Sequence, residues 1–205
     1  MSDFAKEING HVLEFIDSDH IYLVDGVIVP SITQMLKFKF SGKYDGISKA
    51  TLERAAMRGT DVHTAIEEYC KDGTESDLPE VRNFKFLQKQ YDFRVVKNEV
   101  PVILFDDGEP IAAGRLDLVL QMPISDLENC KIGGADIKRT STLDKEYLAY
   151  QLNLYRIAYR QCYGIEWEFL RGIHLREDTR KFVTIPINEK KALDLVHDFK
   201  EARNE

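Results

Sequence analysis

No run of about 18 apolar residues occurs anywhere in this 205-residue chain, so no membrane-spanning helix is expected. Cysteine is scarce. Cys70, Cys130 and Cys162 are odd in number and widely spaced, which argues against a disulfide framework or a zinc knuckle. Three thiolates cannot complete a four-thiolate iron–sulfur cluster, and the ordinary reading is reduced, mostly buried thiols. The opening residues, from Met1 to Glu7, are polar and lack the apolar segment of a secretory signal, so a cytoplasmic protein is expected. A positive excess is missing as well: 28 Lys and Arg face 35 Asp and Glu, a formal net charge of −7. That argues against a protein that coats DNA electrostatically. It leaves room for an enzyme whose carboxylates hold cations while a local basic path guides the substrate.

Linkers, repeats and low-complexity stretches are also absent, so a single domain is expected. Hydrophobic residues make up 43% of the chain, which is enough for a core. Residues 11–15, 21–24 and 27–29 read as short strands with a turn at Asp25-Gly26. Ser31 reads as the N-cap of a short helix over 32–37. A basic, flexible segment follows, with Lys37, Lys39, Lys43 and Lys49 interleaved with Phe38, Phe40 and Tyr44. Such a segment can stack on bases and hold phosphates. The other reading is a solvated loop with its aromatics tucked into the core.

Apolar periodicity predicts helices over 51–71, 80–91 and 143–163 and a last amphipathic helix from 188. Strands are expected at 94–105, 111–121, 131–138, 167–175 and 182–187. The first two of these join at Asp106-Asp107-Gly108-Glu109. The expected architecture is α/β or α+β, a central mixed sheet flanked by helices. A strand-rich extension would cover about 1–50, the core about 51–187 and the last helix about 188–205.

Two carboxylates interrupt apolar strands. Asp117 lies within Gly114-Arg115-Leu116-Asp117-Leu118-Val119-Leu120, and Asp136 within Ile132-Gly133-Gly134-Ala135-Asp136-Ile137-Lys138. A carboxylate in such a strand is costly unless paired or bound to metal. Side chains alternate along a strand, so Asp136 and Lys138 share a face and Ile137 takes the other. If the two strands are neighbours, Asp117 approaches Asp136, and oxygen ligands of this kind suit Mg²⁺ or Mn²⁺. Structural Asp136–Lys138 or Asp117–Arg115 ion pairs are the alternative. His63 and Glu67 share one face of their helix, as do Gln151 and Tyr155 of theirs. The latter two can hydrogen-bond phosphate or base edges, or simply belong to an amphipathic helix.

Taken in order, His63, Gly114-Arg115-Leu116-Asp117, Asp136-Ile137-Lys138 and Gln151-Leu152-Asn153-Leu154-Tyr155 resemble the motifs of the PD-(D/E)XK nuclease superfamily. Within it the closest likeness is to the RecB-like group, which includes phage recombination exonucleases. Tyr22-Leu23-Val24-Asp25-Gly26 and Val29-Pro30-Ser31-Ile32-Thr33 also resemble the start of phage-encoded members. The likeness spans roughly residues 20–175.

The resemblance implies a restriction-endonuclease-like core and a metal-dependent DNA nuclease, more an exonuclease than an endonuclease, from a phage or prophage recombination system. It implies Asp117, Asp136, His63 and the Ile137 carbonyl as ligands of Mg²⁺ or Mn²⁺, with Glu67 a less certain one. Lys138 would be the catalytic lysine, beside Asp117 and Asp136. Gln151 and Tyr155 would position DNA, with Lys37, Lys39 and Lys43 as further DNA contacts. Glu99 could contribute, although an exposed strand carboxylate beside Pro101 is an equal reading. The partner class is DNA. For such exonucleases a single-strand annealing protein is a typical partner, and some members form rings, so a homo-oligomer is compatible; neither is read from the residues. The chain lacks the cysteines of the iron–sulfur branch and any helicase motif. Two rival readings are a catalytically silent nuclease-fold module that binds DNA or protein, and a metal enzyme acting on a non-nucleic substrate.

Overall fold

The computed structural model describes residues 3–42, 45–123 and 130–204. Lys43 and Tyr44 of the basic segment therefore lie outside the described residues. The chain opens on β1 (Phe4–Ile8), β2 (His11–Ile16), β3 (Ile21–Val24) and β4 (Val27–Val29), followed by α1 (Ile32–Lys39), α2 (Lys49–Asp72) and α3 (Pro79–Tyr91). Then come β5 (Arg94–Asp106), β6 (Glu109–Pro123), β7 (Cys130–Lys138), α4 (Lys145–Tyr163), β8 (Phe169–Leu175), β9 (Arg180–Ile185) and α5 (Glu189–Asn204). This is a mixed α+β fold, with two sheets and five helices among the described residues. No described helix is long and apolar enough to cross a membrane.

The first sheet is an antiparallel meander, β1-β2-β3-β4. Its first strand was not expected from sequence, because three of its five residues are exposed and carry no apolar alternation. The second sheet runs β5-β6-β7-β8-β9. All its neighbours are antiparallel except β7 and β8, and α4 supplies the crossover that a parallel pair needs. Two Asp-Gly pairs set the β3–β4 and β5–β6 hairpins. Asp25-Gly26 and Asp107-Gly108 all have positive φ, the geometry that a tight two-residue hairpin turn demands.

Ser31 caps α1 through a full capping box with Gln34, as its place before an apolar run suggests. The helix runs further than its periodicity implied, so Lys37 and Lys39 occupy its last turn and not a flexible loop. Likewise α2 begins at Lys49, capped by Ser48, and Asp144 caps α4.

Buried side chains form two clusters. The larger joins the first sheet, α1, α4 and α5 to one face of the second sheet; the smaller packs α2 and α3 against the other face. The sheets meet where Ala113 N–H donates to Pro30 O at 3.0 Å. Close packing explains the Gly133-Gly134 pair in β7. A Cβ on Gly134 would lie 2.0 Å from the Trp167 ring, an impossible approach.

Candidate metal centre and its surroundings

Asp117 sits within β6 between Leu116 and Leu118, both buried. Antiparallel pairing of Leu118 with Ala135 sets it beside the end of β7, and its Oδ2 accepts the Ile137 backbone N–H at 2.7 Å. The carbonyl of the same Ile137 faces His63 on α2, whose Nε2 lies 3.1 Å from it. A carbonyl only accepts, so Nε2 carries a proton in this contact and Nδ1 is the ring nitrogen turned toward Asp117. Nδ1 lies 3.7 Å from Asp117 Oδ2.

Glu99 completes the group. It stands opposite Asp117, between the pairs Asn98–Leu118 and Val100–Leu116. One ligand atom each from His63, Glu99 and Asp117 falls within 4.8 Å of the others. The Glu99 backbone has φ 47° in the middle of a strand, a conformation costly for a non-glycine residue and most often kept at functional sites. Its Oε2 pairs with Arg115 Nε at 2.6 Å. Burial and the charge of Asp117 push the Glu99 carboxyl up to about 7, against the opposing pull of Arg115.

Asp136 is buried one strand away, and Lys138 Nζ lies 2.6 Å from its Oδ2. Ile137, between them, packs into the α2–α3 cluster, as strand alternation requires. Burial raises the Asp136 carboxyl to about 6; the neighbouring Asp117 adds to this and Lys138 resists it. Burial alone would lower Lys138, but Asp136 and Asp117 outweigh it and hold the ammonium above its ordinary value. Lys138 is therefore a firm cation.

These groups line a cavity of about 430 Å³. Gln151 and Tyr155 form its α4 wall, both buried. Gln151 Oε1 has no hydrogen-bond partner among the described residues. Tyr155 donates to Arg115 O at 3.1 Å. Gly114 makes room for that ring, since a Cβ there would lie 3.0 Å from Tyr155 Cε1. The first sheet and α1 add His20, Tyr22, Ser31 and Thr33, which sequence reasoning did not place in a site.

Most of the sequence-derived candidates thus come together, with four differences. Asp136 does not join the three-atom cluster; it faces Lys138, and Glu99 takes the third place. Glu99 is not an exposed strand carboxylate, because its side chain is only 14% exposed. Glu67 lines the cavity, but the cluster leaves it out. Lys37 and Lys39 are exposed and not among the residues lining the cavity. The aromatics near them are engaged elsewhere: Phe38 packs edge-on against Phe199, and Phe40 packs on Tyr147 and Tyr150.

No family model matches the chain, and no curated protein matches it. Among solved structures, one titled "Crystal structure of SSO0001" aligns over 85% of this chain and 76% of its own, with 14% identity and a TM-score of 0.46.

Proposed function

We propose that this chain is a divalent-metal-dependent deoxyribonuclease of the PD-(D/E)XK type, acting as an exonuclease. One observation carries the reading. Ligand atoms from three separate elements, His63 on α2, Glu99 on β5 and Asp117 on β6, converge within 4.8 Å in a cavity that Lys138 also lines.

The donor set fits a hard divalent cation. Two carboxylates facing each other repel, and that repulsion adds to burial in raising the Glu99 carboxyl. An imidazole nitrogen and carboxylate oxygens suit Mn²⁺ or Mg²⁺, and the Ile137 carbonyl lies beside them. When bound, the ion would polarise a phosphoryl oxygen and lower the pKa of a water.

The chain's own groups do the rest. Lys138 places a fixed positive charge in the cavity, where negative charge gathers on the phosphoryl oxygens in the transition state. Asp136 holds that ammonium charged and aimed. Asp117 is itself oriented by the Ile137 N–H, so the end of β7 and the Asp117 carboxylate form one rigid unit. The spare acceptor of Gln151 and the Tyr155 ring offer the α4 wall as a place to position the strand.

The test uses end-labelled linear DNA and circular DNA, incubated in Mg²⁺, in Mn²⁺ and in EDTA, with wild type, Asp117→Ala and Lys138→Ala. Metal-dependent loss of linear DNA alone, absent in both variants, is the expected result. Equal activity in the variants would remove the site assignment. Binding without cutting by the wild type would assign a binding module instead.

A further inference from the structure

Glu80, the second residue of α3, has a completely buried side chain. A lone carboxylate there would be prohibitively costly. Two guanidiniums answer it. Arg139 Nε donates to Oε1 at 2.6 Å, and Arg58 Nη2 lies 3.6 Å from Oε2. Burial pushes the Glu80 carboxyl up, but the Arg139 hydrogen bond and the two cationic charges prevail and hold it below its ordinary value.

The same two arginines converge on a second point. Arg58 Nη2 and Arg139 Nη2 each lie 3.8 Å from one oxygen, Glu177 Oε1. Glu177 sits in the bend between β8 and β9, with its side chain 68% exposed. At that distance neither contact is a hydrogen bond, and an exposed pair of this kind contributes little. Arg58 Nε, which is buried, also lacks an acceptor among the described residues. One counterion is therefore fixed and buried, and the other is loose and replaceable.

In sequence the two arginines neighbour residues of the cavity, although neither lines it. Arg139 directly follows Lys138, and Arg58 precedes His63 on α2. Guanidiniums match phosphate oxygens with charge-assisted, often bidentate hydrogen bonds. Without Glu177, two cations face one buried carboxylate, and the single negative charge of a phosphodiester restores the balance.

We propose that Arg58 and Arg139, braced by Glu80, form a subsite for a backbone phosphate of the bound DNA strand, and that this phosphate displaces Glu177. The proposal rests on the nuclease reading above and adds a contact outside the metal centre.

The test is binding of a fluorescein-labelled duplex oligonucleotide, followed by anisotropy in EDTA across a salt series. R58Q should weaken binding about tenfold and reduce the log–log salt slope by about one. E177Q should tighten binding about threefold, since it removes an exposed competing carboxylate. It leaves both Glu80 contacts intact, so its gain decides the matter if circular dichroism shows R58Q unfolded. A folded R58Q with unchanged affinity and slope overturns the proposal, as does a wild type that binds no duplex. Metal-dependent cutting of linear DNA by the wild type, scored separately, decides the nuclease reading by itself.

Discussion

Two helices carry the side chains that flank the cavity, and they are held very differently. α4 buries 11 of its 19 residues, including Gln151 and Tyr155. α2 is longer, at 24 residues, yet only Val62 and Ile66 are buried. Ala65, Tyr69 and Cys70 pack half-buried against the smaller cluster, and the remaining ties are polar: His63 to the Ile137 carbonyl, Asn98 to the Glu67 carbonyl, and Arg58 to Glu80. One wall of the cavity is therefore part of the main core, while the other is pinned at a few points. Burial that stabilises α4 cannot be exchanged for function, whereas α2 can carry polar groups at little cost to the fold.

The largest expected effect tests whether α2 is present for chemistry. His63→Ala should lower metal-dependent cleavage by about 10³-fold, roughly 4 kcal/mol at the barrier. Its melting temperature should fall by only about 2–4 °C, the cost of one lost hydrogen bond. Cleavage assays and a thermal melt on one preparation check both halves. A variant as active as wild type would break the contrast at its centre.

The reverse pattern is expected on α4. Leu154 is fully buried in the larger cluster and is absent from the cavity lining. Leu154→Ala should cost about 3 kcal/mol through lost contacts and a residual cavity. In a chain of this size that is a melting-point drop of about 6–12 °C. Cleavage at a temperature well below the melt should stay near the wild-type rate. A loss of cleavage matching that of His63→Ala would show that α4 is no mere scaffold.

The difference between the helices reflects what a single sequence can show. Apolar periodicity marked both, because Val62 and Ile66 keep helical spacing as surely as Leu148 and Leu152 do. Periodicity does not say how much opposing surface exists, and α2 lies over far less of it. The Asp117–Lys138 region was legible for a different reason: a charge inside an apolar strand is conspicuous, and strand alternation fixes which face it takes. Glu99 was legible only as one of two equal readings, since its place opposite Asp117 depends on the β5–β6 register. The Glu80 cluster was hidden likewise, because Arg58 and Arg139 reach it from distant parts of the chain. The lysine segment stayed ambiguous in sequence, because no local pattern reveals that Phe38 and Phe40 find partners on α5 and α4.

Hydrogen exchange should sharpen the contrast without any substitution. Amides in the middle of α4 should be protected on the order of 100-fold more than those of α2, which can open locally without disrupting the larger core. Mn²⁺ should raise protection along α2, because a ligand shared by His63, Glu99 and Asp117 links that helix to the sheet. Equal protection of both helices in EDTA would mean that the polar pins hold as well as a core does.

A pH dependence of stability separates the two walls once more. The Glu99 carboxyl is raised to about 7 in the folded chain, mainly by burial and Asp117, and Asp136 to about 6. In the unfolded chain both titrate near 4. Between those values the folded state binds more protons than the unfolded state, so stability falls as pH rises. In EDTA the melting temperature should therefore drop by about 7–14 °C between pH 5 and pH 7 from these two groups, superposed on the rest of the titration. Glu99→Gln removes one ionisation and relieves Asp117 of a like charge, so the drop should shrink. Saturating Mn²⁺ should shrink it as well, because a bound cation favours the ionised carboxylates. The metal-binding half of the cavity would then be the half that sets the pH response, while the α4 wall remains indifferent to both proton and metal. An unaltered slope in Glu99→Gln would move the like-charge repulsion to other groups.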